Sequence, residues 1–273
     1  MKNFNSISLA AKVREHVVDM CHLGGSSHVG SALSIVDILS VLYSSVLNYF
    51  PENPKSEERD NFILSKGHAG VALYSTLAEV GFFSNELLKD HYKNGSIFSG
   101  HVTHKLVPGI EVSTGSLGHG LGIGCGIAKA HKLEGKKNKV YVLISDGECD
   151  EGSNWEAFLF AAHHHLENLT VILDYNKLQS LTSVEKTLNL EPINKKLEAF
   201  NWNVVNVDGH NHKDLERALK KDFNNSRPKF IIANTIKGKG ITFMENSVLW
   251  HYRSPQSDEY QEAKAQLKSK RIY

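Results

Sequence analysis

At 273 residues with 41% hydrophobic side chains, the chain can build one large α/β domain or two small ones around a sizeable core, which excludes a disordered tail or a disulfide-stapled mini-protein. Lys and Arg number 31 against 30 Asp and Glu, a formal charge of +1. No global field therefore attracts nucleic acid or a membrane surface, and neither is expected as a partner. The N-terminal segment lacks the basic start, apolar stretch and small-residue cleavage site of a secretory signal. No apolar run reaches the roughly 18 residues of a membrane-spanning candidate. Cys21, Cys125 and Cys149 are odd in number and far apart, with no CxxC spacing, so a cytoplasmic protein with reduced thiols is expected.

Along the chain, Leu9, Val13, Val17 and Met20 recur at helical spacing, as do Ile35, Ile38, Leu39, Leu42 and Val46. Five short β-branched runs follow, each separated from the next by a helix-length segment: 61–65, 140–145, 169–174, 202–208 and 229–235. This alternation predicts an α/β fold, a doubly wound, mostly parallel sheet with helices on both faces. Ligands of such sheets sit beyond the carboxyl ends of the strands. No linker divides the chain, so one domain is expected over 1–253, with a C-terminal tail over 254–273 that reads as helical.

The segment "ISDGECDEGSNWEA" (144–157) crowds acids and an amide behind an apolar strand. Helix capping accounts for Ser153 and Glu156, which fit S-x-x-E. It leaves Asp146 unexplained, because a carboxylate directly ending an apolar strand is costly unless paired. A dinucleotide site fails: in the glycine-dense stretch 115–126 no register gives G-x-G-x-x-G, the sixth positions from Gly118, Gly120 and Gly122 being Ile123, Cys125 and Ile127. A Walker loop fails too, since Gly135-Lys136 and Gly238-Lys239 are followed by Lys and Gly. The remaining reading is a hard cation carrying a phosphorylated cofactor, with Asp146 and Asn176 supplying oxygens from adjacent strand ends and Gly147 letting backbone N–H groups approach a diphosphate.

"SDGECDEGSNWEA" followed by "ILDYNKLQ" resembles the thiamine-diphosphate motif. Together with "DNFILSKGHAGVALY", "GIEVSTGSLGHGLGIGCGIAKA", "VDGHN" and "IKGKGITFMENSVLWHYRSP", in that order over almost the whole chain, it is similar to the diphosphate-binding half of the transketolase family. The resemblance implies thiamine diphosphate and Mg²⁺ (with Ca²⁺ or Mn²⁺ as substitutes), the metal being held by Asp146, Asn176 and the Leu178 carbonyl. It places Ser31, His68, Gly115, Ser116, Leu117, Gly147, Asn176, Lys237 and His251 on the cofactor, and makes His28, His101 and His251 the catalytic candidates. Imidazole suits a site rich in sugar and phosphate oxygens because it donates, accepts or moves a proton near neutral pH. The run His163 to His165 is assigned to a helix end or surface, since adjacent helical residues do not face one another.

The chain departs from the family pattern at Ser145, which stands in place of glycine, at His119 in place of glutamine, and in "SSHVG" around His28, which is expected to loosen that loop. The family's glutamate that activates the cofactor lies on a second, pyrimidine-binding domain, and no second strand-helix series follows here. The expectation is a split enzyme. A separate C-terminal transketolase subunit brings that glutamate, sugar phosphates are the substrates, and an α₂β₂ heterotetramer transfers a two-carbon ketol unit from ketose to aldose. The alternatives are a transketolase-like subunit that uses an unusual sugar, or a non-catalytic cofactor-binding subunit.

Overall fold

Successive side chains of a strand point to opposite faces, and here both faces are apolar. A computed structural model describes residues 4–269, and its five strands are β1 (Asn61–Leu64), β2 (Val140–Ser145), β3 (Leu169–Tyr175), β4 (Asn203–Asp208) and β5 (Lys229–Asn234). Phe62, Leu64, Tyr141, Leu143, Ile172 and Ile231 enter one core cluster. Their alternates Ile63, Val142, Ile144, Val171, Leu173 and Ile232 enter a second. A sheet buried on both sides needs helices on both sides, and connections that return each strand in the same direction. The order is β1-β2-β3-β5-β4 with every neighbouring pair parallel, so the sheet is wholly rather than mostly parallel.

The helices are α1 (Ser6–Gly24), α2 (Val29–Leu33), α3 (Val36–Val41), α4 (Gly70–Glu79), α5 (Gly120–Leu133), α6 (Gly152–His163), α7 (Val184–Thr187), α8 (Ile193–Ala199), α9 (His212–Lys220) and α10 (Ser257–Ser269). The first cluster draws on α1 to α4, α9 and α10, the second on α5 to α8. Asn5 caps α1 by accepting from the Ile7 and Ser8 amides, and Gly25 ends it at φ 60°, a left-handed conformation that suits glycine. Ile35 to Val46, one helical pattern in sequence, is divided into α3 and a π turn over Leu42–Val46.

Contrary to the sequence expectation, one stretch, Val29–Val46, is apolar enough over 18 residues (mean hydropathy 1.7) to cross a membrane by length and composition. It is 83% buried inside the protein, so its apolarity is used on the core cluster that covers one face of the sheet.

The segment read as a tail forms α10, which docks on α1. Ala263 and Leu267 are buried, the Tyr260 ring stacks on His22 at 3.9 Å, and Lys264 Nζ bonds Asp19 at 2.8 and 2.9 Å. Its residues 270–273 lie outside the described residues. His163 to His165 end α6, with His164 at the cap and His165 at φ 52°.

The capping assignment of Ser153 is overturned. The helix starts two residues earlier than that assignment requires, at Gly152 with Glu151 at the cap, and Ser153 Oγ instead donates to the Gly118 carbonyl at 2.8 Å. A Cβ on Gly118 would stand 2.6 Å from that hydroxyl, so the close approach of the two loops takes the hydroxyl away from the helix end.

Helix α5 lies so close to β2 that a Cβ on Gly124 would meet Val142 Cγ2 at 2.4 Å, whereas one on Gly122 would meet nothing within 4 Å. Gly124→Ala is therefore expected to destabilise by about 1–3 kcal/mol through overpacking. Gly122→Ala is expected to stabilise by about 0.5–1 kcal/mol through helix propensity. Urea unfolding of the two variants beside the parent checks both signs.

Candidate active site

The parallel registers align Ser145 with Asp174, and Asp174 with Ala233, so the residues that follow β1, β2, β3 and β5 share one edge. Deep in that edge Lys66 and Asp174 form an ion pair of 2.6 Å, with 1% and 0% of their side chains exposed. Asp174 Oδ2 also accepts from Ser34 Oγ at 2.7 Å and from Asn176 Nδ2 at 3.0 Å. Its Oδ1 accepts from Thr235 Oγ1. Burial works against the Asp174 charge, but Lys66 and the hydroxyls more than offset it and hold its carboxyl below the usual range. Because Asn176 Nδ2 is tied to this carboxylate, the amide oxygen is left for other partners, and it accepts from the Leu178 N–H at 3.1 Å.

The acids of 144–157 divide into separate tasks. Glu148, fully buried, is a strut: its carboxylate accepts from Ser65 Oγ at 2.5 Å, Gly118 N at 3.1 Å and Ser145 N at 3.0 Å, joining the ends of β1 and β2 to the loop before α5. Asp150 accepts from Gln179 Nε2 at 2.8 Å, and its other oxygen is buried without a partner among the described residues. Asp146 accepts one N–H on each oxygen, from Gly147 at 2.8 Å and Lys177 at 2.7 Å, and each oxygen keeps lone-pair capacity. Burial, and then the Asp174 charge, push the Asp146 carboxyl up to about 7. A buried carboxylate in that condition favours a cation beside it.

Asp146 opens on a cavity of about 390 Å³. His28, Ser31, His68, His101, Gly115, Leu117, Gly147, Asn176, Leu178, Lys237 and His251 line it as well, so of the sequence-predicted residues only Ser116 is missing. Ser116 is exposed, with its hydroxyl 3.3 Å from His119 Nδ1. The imidazole of His28 lies 5.1 Å from those of His68 and His251 and 5.6 Å from that of His101, centroid to centroid. His28 has φ 74°, uncommon for a non-glycine residue, and its loop is anchored: its N–H donates to the His251 carbonyl at 2.7 Å and Ser27 Oγ lies 2.8 Å from its Nδ1.

The cavity is cationic at its base and neutral at its imidazoles. Burial, then His101, Lys237 and Lys66, lower His28 to about 4; burial, then Lys237, His28 and Lys66, lower His251 to about 3. Burial followed by Lys66 holds His68 well below its ordinary value. These three rings are uncharged at neutral pH, each able to donate from one nitrogen and accept at the other. Lys237 is lowered to about 8, by burial and then by Lys66. Its ammonium donates to the Leu178 and Gln179 carbonyls at 3.0 and 2.9 Å and to His251 Nδ1 at 2.8 Å.

A diphosphate with a hard divalent cation fits this arrangement. Two buried ammonium groups share the cavity with a carboxylate, an amide oxygen and a backbone carbonyl, the donor types that magnesium takes. Among the described residues no three His, Cys, Asp or Glu converge as a metal site by themselves, so a cation here would need mixed donors, with a ligand supplying the remainder. Gly115, at φ 142°, has no room for a side chain, since a Cβ there would lie 2.8 Å from the His101 ring. Sequence reasoning missed Lys66, Asp150, Gln179 and Tyr252, which also line the cavity. Lys66 had a signal of the Asp146 kind, a charge just beyond an apolar strand.

Residues 6–271 match the family described as "Transketolase, thiamine diphosphate binding domain". The chain is 40% identical over 253 residues to one of the subunits of the apulose-4-phosphate transketolase of Phocaeicola vulgatus, covering 92% of this chain and 90% of that protein. It is 38% identical over 244 residues to the SqwG subunit of the 6-deoxy-6-sulfo-D-fructose transketolase of a Clostridium species, covering 89% of each. The crystal structure of Campylobacter jejuni transketolase superposes with a TM-score of 0.89 at 33% identity, over 95% of this chain but 42% of that one. The chain thus spans most of the relatives that are single subunits and about two-fifths of that solved transketolase.

Lys66→Met would leave Asp174 as an uncompensated buried charge, with an expected loss of about 3–5 kcal/mol of stability; adding Asp174→Asn should recover most of it. Denaturant titration of the single and double variants tests this. His28 and His251 titrate near 6.5 when unfolded but at about 4 and about 3 when folded. Their contribution to stability is therefore complete above 6.5 and is lost as pH falls from there toward those values. Thermal melts across that window should decline less steeply for the His28→Gln, His251→Gln double variant than for the parent.

Proposed function

The chain belongs to the transketolase family, of which it carries the thiamine diphosphate binding domain, and on that premise we propose that it is the N-terminal subunit of a two-subunit transketolase. It transfers a two-carbon ketol unit from a ketose, commonly its phosphate, to an aldose. The carrying observation is the single cavity that joins Asp146, Asn176 and the Leu178 carbonyl to Lys66 and Lys237.

In this reading Asp146, Asn176 and the Leu178 carbonyl hold Mg²⁺, which Ca²⁺ or Mn²⁺ can replace. Lys237, His68 and the backbone at Gly147 meet the diphosphate. Lys237 has three donors, so it can exchange a carbonyl for a phosphate oxygen and keep its other bonds. Ser31, Gly115, Leu117 and His251 lie along the cofactor, with the exposed Ser116 at the outer end of that loop. When bound, thiamine diphosphate supplies the electron sink that lets the bond beside the ketone break. The neutral rings of His28 and His251, with His101, orient sugar oxygens and pass protons.

A partner subunit completes the site with the pyrimidine-binding domain and its glutamate, in an α₂β₂ assembly whose cofactor lies between the two chains. The relatives that are themselves named as transketolase subunits, matched over about nine-tenths of their length, support this arrangement. Their names, for apulose 4-phosphate and 6-deoxy-6-sulfo-D-fructose, favour an unusual sugar as substrate. A cytosolic location is supported by Cys21, Cys125 and Cys149, all free and buried thiols.

Neither this chain nor its pyrimidine-domain partner is expected to turn over a ketose phosphate alone, whereas the reconstituted pair should, in the presence of thiamine diphosphate and Mg²⁺. Within that pair, Asp146→Ala should reduce activity at least about 100-fold, the upper end of the loss seen when a metal site is perturbed. Full turnover by the isolated chain would refute the split-enzyme reading.

A further inference from the structure

The turn that follows β5 is held at three consecutive residues. Thr235 donates to Asp174, and Lys237 donates to the Leu178 and Gln179 carbonyls. Between them the Ile236 N–H donates to His210 Nε2 at 2.8 Å. His210 comes from the segment just beyond β4, and its other nitrogen, Nδ1, lies 2.7 Å from Asp37 Oδ2. Asp37 is buried on α3, where its carboxylate is also met by Arg14 Nη2 at 2.5 Å and His212 Nε2 at 2.9 Å.

This geometry dictates a tautomer. A nitrogen that accepts a backbone N–H carries no proton, so the ring proton of neutral His210 is on Nδ1 and points at Asp37. The carboxylate, itself fixed by Arg14 and His212, therefore orients the ring, and the ring orients the amide one residue before Lys237. The two loops touch closely enough that a Cβ on Gly209 would stand 2.4 Å from Thr235 Cγ2. His210 is not among the residues lining the cavity, so it acts at one remove.

We propose that Asp37 and His210 form a positioning pair that sets the Lys237 ammonium in the diphosphate pocket by holding the Ile236 N–H. The proposal rests on the functional reading above, in which Lys237 meets the anionic tail of the cofactor. It extends the site to α3 and to the loop after β4.

His210→Gln and His210→Asn separate positioning from general support. The terminal amide of Gln reaches about where Nε2 lies and offers an oxygen to Ile236, while Asn reaches only the Nδ1 position and can satisfy Asp37 alone. The expected result is that the Asn variant exchanges the Ile236 amide hydrogen faster and binds thiamine diphosphate with Mg²⁺ about 10-fold more weakly in the assembled enzyme. The Gln variant should restore both toward parental values at a similar melting temperature. Parental exchange at Ile236 in the Asn variant, or faster exchange with unchanged affinity, would overturn the proposal. In the parent, NMR should find the His210 proton on Nδ1; a proton on Nε2 overturns it without any variant. A parent enzyme that binds no thiamine diphosphate would instead defeat the functional reading, and Ile236 exchange would still decide whether His210 holds the turn.

Discussion

Lys66 and Asp174 meet with almost no exposure to water, reaching across β2 from the ends of β1 and β3. Taking two charges out of water costs several kcal/mol per ion unless their remaining hydrogen-bonding capacity is met. Here most of it is met: Ser34, Asn176 and Thr235 complete the carboxylate, and the Ser31 carbonyl takes a second ammonium hydrogen at 3.0 Å. Those partners come from three pieces of this edge: α2 and its cap for Ser31 and Ser34, the residues after β3 for Asn176, and the turn after β5 for Thr235. The pair therefore does more than hold two strands together, because Asn176, Ser31 and the turn leading to Lys237 all take their positions from it.

The same edge shows how a fold can prepare for an anion. Ammonium groups at its base are buried, and burial lowers the nearby imidazoles so that they add hydrogen-bonding capacity without adding charge. An arriving diphosphate and divalent cation would relieve opposite stresses at once, the phosphate satisfying Lys237 and the metal satisfying Asp146. Both groups are displaced from their ordinary titration by burial in the direction that such partners would reverse. Glu148, one of the most buried acids of the loop, instead joins the ends of two strands to the loop before α5.

The layered architecture was legible because hydrophobic alternation and β-branched runs are local signals, and all five expected strands form within a residue or so of their expected bounds. The edge that carries the candidate site was legible for a related reason: a charge placed straight after an apolar strand, as at Asp146, is costly without a partner and so marks a partner. That logic applied equally to Lys66 and was not extended to it. Ser153 shows the opposite failure. Its S-x-x-E pattern was correct as a local signal, but the Gly118 carbonyl, 35 positions away, took the hydroxyl. Val29–Val46 likewise reads as a span only when its burial is unknown.

By itself the sequence determined the parallel sheet and the edge where ligands gather, because periodicity and unpaired charge are properties of short windows; Asp146, Asn176 and Gly147 were legible there from the residues themselves, and the other expected site residues came from the resemblance to the transketolase family. Only the tertiary structure decided which acid faces the cavity and which braces strands, that three histidines are held neutral, and that Asp37 reaches Ile236 through His210. Those outcomes depend on burial and on contacts between distant positions, such as the 108 positions separating Lys66 from Asp174. Desolvation and hydrogen-bond competition act between neighbours in space, and the sequence orders neighbours only along the chain.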